Sequence, residues 1–152
     1  MNEEPSYEDT IARIKDSKPR LALILQQAQQ QRARRTDSLV GGARFKGIEQ
    51  LLDHLIALSE GFASDQALNR LAFLVQRAEA DLETATEATL SGYVAVAADA
   101  MRDVMEIQNL LLDFALAPDH IPEWLGGDRK TLVGKFGPAR IRDRLHAAGE
   151  AQ

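Results

Sequence analysis

Apolar residues recur every three or four positions along most of this 152-residue chain, and nowhere do β-branched or aromatic residues alternate long enough to suggest a strand. The pattern predicts an all-α fold, a bundle of four to five main helices forming a single helical domain over residues 1–152. Pro5 and Ser6, with Asp9 three positions after the serine, read as a capped start for a short helix ending near Lys15, so residues 1–18 make a short N-terminal helix or arm. Pro19 suits the first turn of a second helix, which Gly41-Gly42 stops near residue 40. A third helix is expected from about Ala43 to Glu60, with Phe45, Ile48, Leu51, Leu52, Leu55 and Ile56 on one stripe and Gly61 placed as a left-handed terminal residue. Ser64 or Asp65 reads as the cap of a fourth. Its stripe of Leu68, Leu71, Leu74, Val75, Ala78, Leu82 and Ala85 is narrow, as in an outer helix. Phe73 lies off that stripe, which marks a contact with another element or a second subunit.

The long central apolar helix is the fifth, about 90–116, with continuity to the fourth through Ser91-Gly92 left open and an end before Pro118. At about 100° per residue, Val94, Val96, Ala97, Met101, Val104, Met105, Ile107, Leu111, Leu112 and Phe114 cover roughly two-thirds of its circumference. Asp99, Arg102, Asp103, Glu106, Asn109 and Asp113 share the remaining third. This describes a central helix packed on most sides, with one polar edge facing water or a groove. Arg102 follows Asp99 by three positions and precedes Glu106 by four, spacings whose exposed pairs contribute only about 0.2–0.5 kcal/mol. A solvated edge therefore explains them without any function. Beyond Pro118 the chain is punctuated by Pro and Gly; Asp119 to Leu125 suits one turn carrying Trp124, the single tryptophan, over the end of the core. Pro138 opens a last basic helix, Ala139 to about Ala148, with Ile141 and Leu145 alone on its inner side. That helix is expected to be weakly anchored, its end fraying or belonging to a longer parent chain.

Charge sharpens this picture by its distribution more than by its total of −5. Residues 1–18 carry a net −2, residues 19–48 +5, residues 49–128 −12, and the basic C-terminal segment 129–152 +4. An acidic middle between basic flanks is unlike a uniformly basic nucleic-acid binder; flanks that fold back onto acidic helices account for it. The absence of cysteine excludes disulfides, thiolate metal sites and cysteine nucleophiles. With no long uncharged apolar run and an acidic start, MNEEPSYEDT, the expectation is a soluble, cytoplasmic protein that makes no use of a membrane.

Candidate chemistry is sparse. There is no Gly-rich phosphate loop, zinc-protease signature, calcium loop or nucleophile elbow. His54, His120 and His146 are dispersed and read as surface residues. Asp99, Asp103, Glu106 and Asp113 lack the Glu-x-x-His pair of helical carboxylate metal sites, so neither a metal nor another cofactor is expected. The polar edge Asp99, Arg102, Glu106, Asn109 and Asp113 remains a candidate groove, which a small-molecule binder would use. In the second helix the stripe Leu21, Ile24, Leu25 and Ala28 turns basic at Arg32 and Arg35; with Arg34, these either reach acids of their own fold or meet an anionic partner. Nucleic acid is a weak version of that partner, because no aromatics interleave for stacking.

One further run carries a resemblance. "AMRDVMEIQNLLLDFALAPDHIPEWL", with Arg102 and Glu106 on an apolar helix, a Pro break and a following Trp, resembles the HEPN-like all-helical domains of bacterial and phage proteins over about residues 65–146. Catalytic members of that superfamily are metal-independent ribonucleases whose Arg-x(4–6)-His motif meets its symmetry mate across a dimer. Carried over, the resemblance implies His146 as general acid/base and Arg140 as phosphate ligand. Ile141 departs from the polar residue usual after the arginine. The residues themselves, with Phe73 off its stripe and no catalytic motif, point instead to a non-enzymatic, self-associating interaction or regulatory module, a homodimer or a binder of another protein. The alternative is a HEPN-type ribonuclease or RNA-binding toxin-antitoxin component.

Overall fold

The computed structural model describes residues 6–150, and every regular element in that range is helical. Pro5 lies outside the described residues. Helix α1 (Tyr7–Lys15) begins as its sequence demands: the Ser6 hydroxyl accepts from the Asp9 amide while the Asp9 carboxylate accepts from the Ser6 amide, a reciprocal capping box. Helix α2 (Pro19–Leu39) starts on its proline and folds back along α1, where the Tyr7 hydroxyl donates to the Leu25 carbonyl at 2.9 Å. Helix α3 (Ala43–Ser64) runs straight through Gly61, so the expected left-handed stop there does not occur. The chain turns at Asp65 instead, whose carboxylate accepts from the Ala67 and Leu68 amides at 2.7 and 3.1 Å. A 3-10 helix (Asn69–Leu71) then leads into α4 (Ala72–Ser91); Asp65 holds the turn that precedes the 3-10 helix and caps neither element.

The left-handed glycine is Gly92, at φ 85°. It ends α4 and separates it from α5 (Val94–Leu116), so the two helices are not continuous. After Pro118 come three short basic-flanked elements. These are α6 (His120–Gly126), α7 (Arg129–Phe136), whose Asp128 caps the Thr131 amide at 2.8 Å, and α8 (Pro138–Glu150). The expectation left α7 out, because its eight residues show almost no apolar periodicity.

The core lies between α4 and α5, closed at one end by α6, α7 and α8. Leu71, Leu74, Ala78, Ile107, Leu110, Phe114, Phe136 and Ile141 are buried together there, with Trp124 half-buried beside them. Trp124 packs edge-on to Phe114 and stacks on Phe73, with centroids 5.8 and 6.0 Å apart. Phe73 therefore sits off its helix stripe to meet another element, α6. Helix α4 corrects the outer-helix expectation: the part of the stripe that lies on it, Leu74, Val75, Ala78, Leu82 and Ala85, is buried, because α2, α3 and α5 all pack against it, while Leu68 before it is half-buried. The correction to α5 runs the other way. Val94, Val96, Met101, Met105, Leu112 and Leu116 are exposed, so the apolar two-thirds of that helix is only partly covered within one chain.

Candidate functional site

The six polar residues expected to share one edge of α5 do not share one environment. Asp99 and Arg102 face water, paired with each other at 3.3 Å and, through Arg102, with Glu106 at 4.0 Å. Asp103, Glu106 and Asn109 line a cleft of about 200 Å³ between α4, α5, α6 and α8, floored by Leu74, Ile107 and Leu110. Arg77 of α4 reaches across it to Asp103 at 2.8 Å, which holds its guanidinium pKa above the usual arginine value. The cleft is small, and its strongest charges already neutralise one another.

Asp113 corrects the sequence reading most sharply. It is 2% exposed and no part of a water-facing edge or groove. The Arg144 guanidinium grips it with two parallel bonds, Nε to Oδ1 at 2.7 Å and Nη2 to Oδ2 at 2.8 Å, while Arg144 Nη1 donates to the Lys135 carbonyl at 2.7 Å. His120 Nδ1 completes the set at 2.8 Å from Oδ2, its ring edge-on to Phe136. Burial pushes the Asp113 carboxyl up, but the Arg144 and His120 hydrogen bonds and charges outweigh it and leave the pKa below the ordinary aspartate value. The same bond raises Arg144. One buried carboxylate thus ties α5, α6, α7 and α8 together. His120 is half-buried and structural, against the expectation of a surface histidine. Sequence reasoning passed over Arg144, 31 positions from its partner and set among other arginines.

Two of the three basic candidates on α2 turn inward. Arg32 pairs with Glu87 of α4, and Arg35 donates to the Leu90 carbonyl at 3.3 Å. Arg34 is exposed. Together with Arg144 on Asp113 and Lys135 on Glu123, these contacts fold the basic flanks onto the acidic middle. On α8, Arg140 and His146 are both exposed, and six positions of helix set them about 120° apart around its axis. Among the described residues there is no group of three or more His, Asp or Glu placed to hold a metal ion, and no helix is long and apolar enough to cross a membrane.

The most uniformly apolar groove is one that the sequence did not single out. Helices α3 and α5 both pack on α4, leaving between them a space of about 470 Å³ that Val75 and Ala78 of α4 also line. Leu51, Leu55, Leu58 and Phe62 form one wall, and Met101, Met105, Leu111 and Leu112 the other; His54 and Gln108 are its polar residues, and no Asp, Glu, Lys or Arg lines it. The signal was present in the sequence as an α5 stripe wider than one neighbour can cover. No family model matches this chain, and no curated protein or solved structure matches it either.

Proposed function

We propose that this protein is a non-enzymatic self-association module whose α3–α5 face receives a second copy of the chain. The observation that carries the reading is the uncharged groove in a molecule of which 27% is charged. Leu51, Leu58, Met101, Met105 and Leu112 are all exposed along it. Scattered apolar residues are normal on a surface; a contiguous apolar strip without charge is the mark of an interface. The groove spans Met101 to Leu112 along α5, roughly 17 Å, and with Val94, Val96 and Leu116 exposed beyond it the apolar strip follows the whole helix, roughly 35 Å; at a width of two helices, roughly 20 Å, that strip is comparable with the roughly 800 Å² per partner of stable complexes. A patch free of charge also lets two copies of net charge −5 approach without like charges meeting at the contact.

Sedimentation equilibrium over a wide concentration range tests the reading. The wild-type chain is expected to dimerise, and Met105→Glu to weaken the dimer at least about tenfold while leaving the helical circular dichroism intact, since Met105 is exposed in the single chain. A wild type that stays monomeric throughout overturns the reading, as does a dimer indifferent to Met105→Glu. RNA cleavage in EDTA that disappears in His146→Ala would replace it with the ribonuclease alternative built on Arg140 and His146.

A further inference from the structure

Helix α2 carries an apolar surface that its own chain leaves open. Leu21, Ile24, Ala28 and Gln31 follow one another at spacings of three, four and three, so they share one face of the helix. Burial changes along that face. Toward the C-terminal end Arg35 and Leu39 are half-buried, and Arg35 is held by the Leu90 carbonyl at the end of α4. Toward the N-terminal end Leu21 and Ile24 remain 43% and 57% exposed. Helix α1 does not cover them, because Tyr7, Ile11 and Lys15 lie along the side of α2 that presents Gln26, Gln29 and Gln30.

This face is uncharged as well as open. From Leu21 to Gln31, eleven residues, there is no Asp, Glu, Lys or Arg, and no other helix among the described residues holds so long a run. The run spans roughly 15 Å, and Arg20 and Arg32 at its two ends stand roughly 18 Å apart. The α3–α5 groove has no charged residue in its lining and extends roughly 17 Å from Met101 to Leu112. Burying an unpaired charge there is costly, so an occupant has to be uncharged over that length, with its charges at the mouths. The Leu21–Gln31 run meets both conditions. Shape makes the same choice. Two concave grooves laid face to face leave a void, whereas a helix is convex and seats branched side chains between two walls. Leu21 and Ile24 are exposed in the single chain, and so are Leu51, Leu58, Met101 and Met105, so the chain does not fill its own groove.

We infer that the α3–α5 groove receives the N-terminal half of α2 from a second copy, with Leu21 and Ile24 as its anchors. This rests on the self-association reading and names the surface that the second copy brings. Each chain has one such arm and one such groove, so a reciprocal exchange about a two-fold axis fills both and closes at two chains. A one-way exchange would leave an arm and a groove open and go on adding chains. Met101 and Met105, unbranched and adaptable, shape their wall to the branched Ile24. One face of α2 then serves two hosts. Its basic end holds α4 of its own chain, and its apolar end enters the groove of the other.

Leu23 supplies a control within the same helix: it is 53% exposed, as open as Ile24, but points about 100° away from Ile24 and about 160° away from Leu21. In sedimentation equilibrium of the full chain, Ile24→Glu is expected to weaken the dimer at least about tenfold and Leu23→Glu to leave it unchanged, both with wild-type helical circular dichroism. The absence of cysteine allows a second reading. Ile24 and Met105 each lie within about 3 Å of the middle of their segments, so they meet whichever way the arm runs along the groove. Full-length Ile24→Cys mixed with Met105→Cys, oxidised and read on non-reducing gels, is expected to form disulfide dimers at least about tenfold faster than either variant alone. Met105→Cys linking to itself as fast as the mixture shows groove against groove and overturns the inference while leaving self-association standing. So does a dimer indifferent to Ile24→Glu. Species that keep growing with concentration overturn the reciprocal exchange. A chain that never associates removes both readings.

Discussion

Asp113 is where a single side chain carries most weight. Removing Arg144 leaves a carboxylate 2% exposed without its strongest partner, and losing one member of a buried pair costs about 3–5 kcal/mol. Arg144→Met is therefore expected to lower unfolding free energy by about 3 kcal/mol in urea denaturation, the lower figure because the arginine side chain is 31% exposed and water recovers part of the loss. His120→Gln, removing one bond of the set, is expected to cost about 1 kcal/mol. The pH dependence has a fixed sign. Asp113 has a lowered folded pKa, so its ionised form stabilises the fold above the ordinary aspartate pKa, and that contribution is lost as pH falls through the lowered value. The stability gap between wild type and Asp113→Asn should accordingly be full at neutral pH and shrink in acid; a gap constant from neutral pH into strong acid would contradict it. None of this was legible locally. Asp113 continues the spacing of Asp99, Arg102, Glu106 and Asn109, and only a partner brought from α8 distinguishes it from them.

At the scale of elements, periodicity located helices well and their surroundings poorly. The limits of α1, α2 and α8 follow Ser6, Pro19 and Pro138, local signals that act through the first turn alone. Gly61 and Gly92 look alike in sequence, yet only the second adopts a positive φ, because the chain must reverse there to lay α5 on α4. The turn is locked from outside: a β-carbon on Gly92 would lie 2.3 Å from Nη1 of Arg35. Gly92→Ala should destabilise by about 1–2 kcal/mol from backbone strain, plus the cost of displacing Arg35. A double-mutant cycle with Arg35→Ala is expected to show less than additive loss, since the displacement is incurred only once. Full additivity in guanidinium unfolding would mean the two do not meet. The breadth of the α5 stripe was legible too, but not what covers it, for periodicity counts apolar positions without saying which chain supplies their neighbours.

For the whole molecule, cohesion is uneven. The α4–α5 pair and the three C-terminal helices share the buried cluster, whereas α2 contributes one buried residue, Ala22, and α1 none. What holds the α1–α2 hairpin includes the partly buried hydrogen bond from Arg35 to the Leu90 carbonyl and the exposed ion pair of Arg32 with Glu87, and ion pairs of the latter kind contribute about 0–1 kcal/mol and weaken with salt. Hydrogen exchange is expected to show amides of α1 and α2 opening well before those of α4 and α5, with the difference growing as salt is raised. Equal protection throughout would refute it. The covalent link from this hairpin to α3 passes through Gly41 and Gly42, and a β-carbon on Gly41 would meet nothing within 4 Å. Two consecutive glycines give such a joint more backbone freedom than other residues would, and a hairpin released on it would stay tethered at high effective concentration to its docking site. If two chains lie side by side, the neighbour's α4 offers the same acid and the same carbonyl, so the arms can trade hosts without a single contact changing in kind.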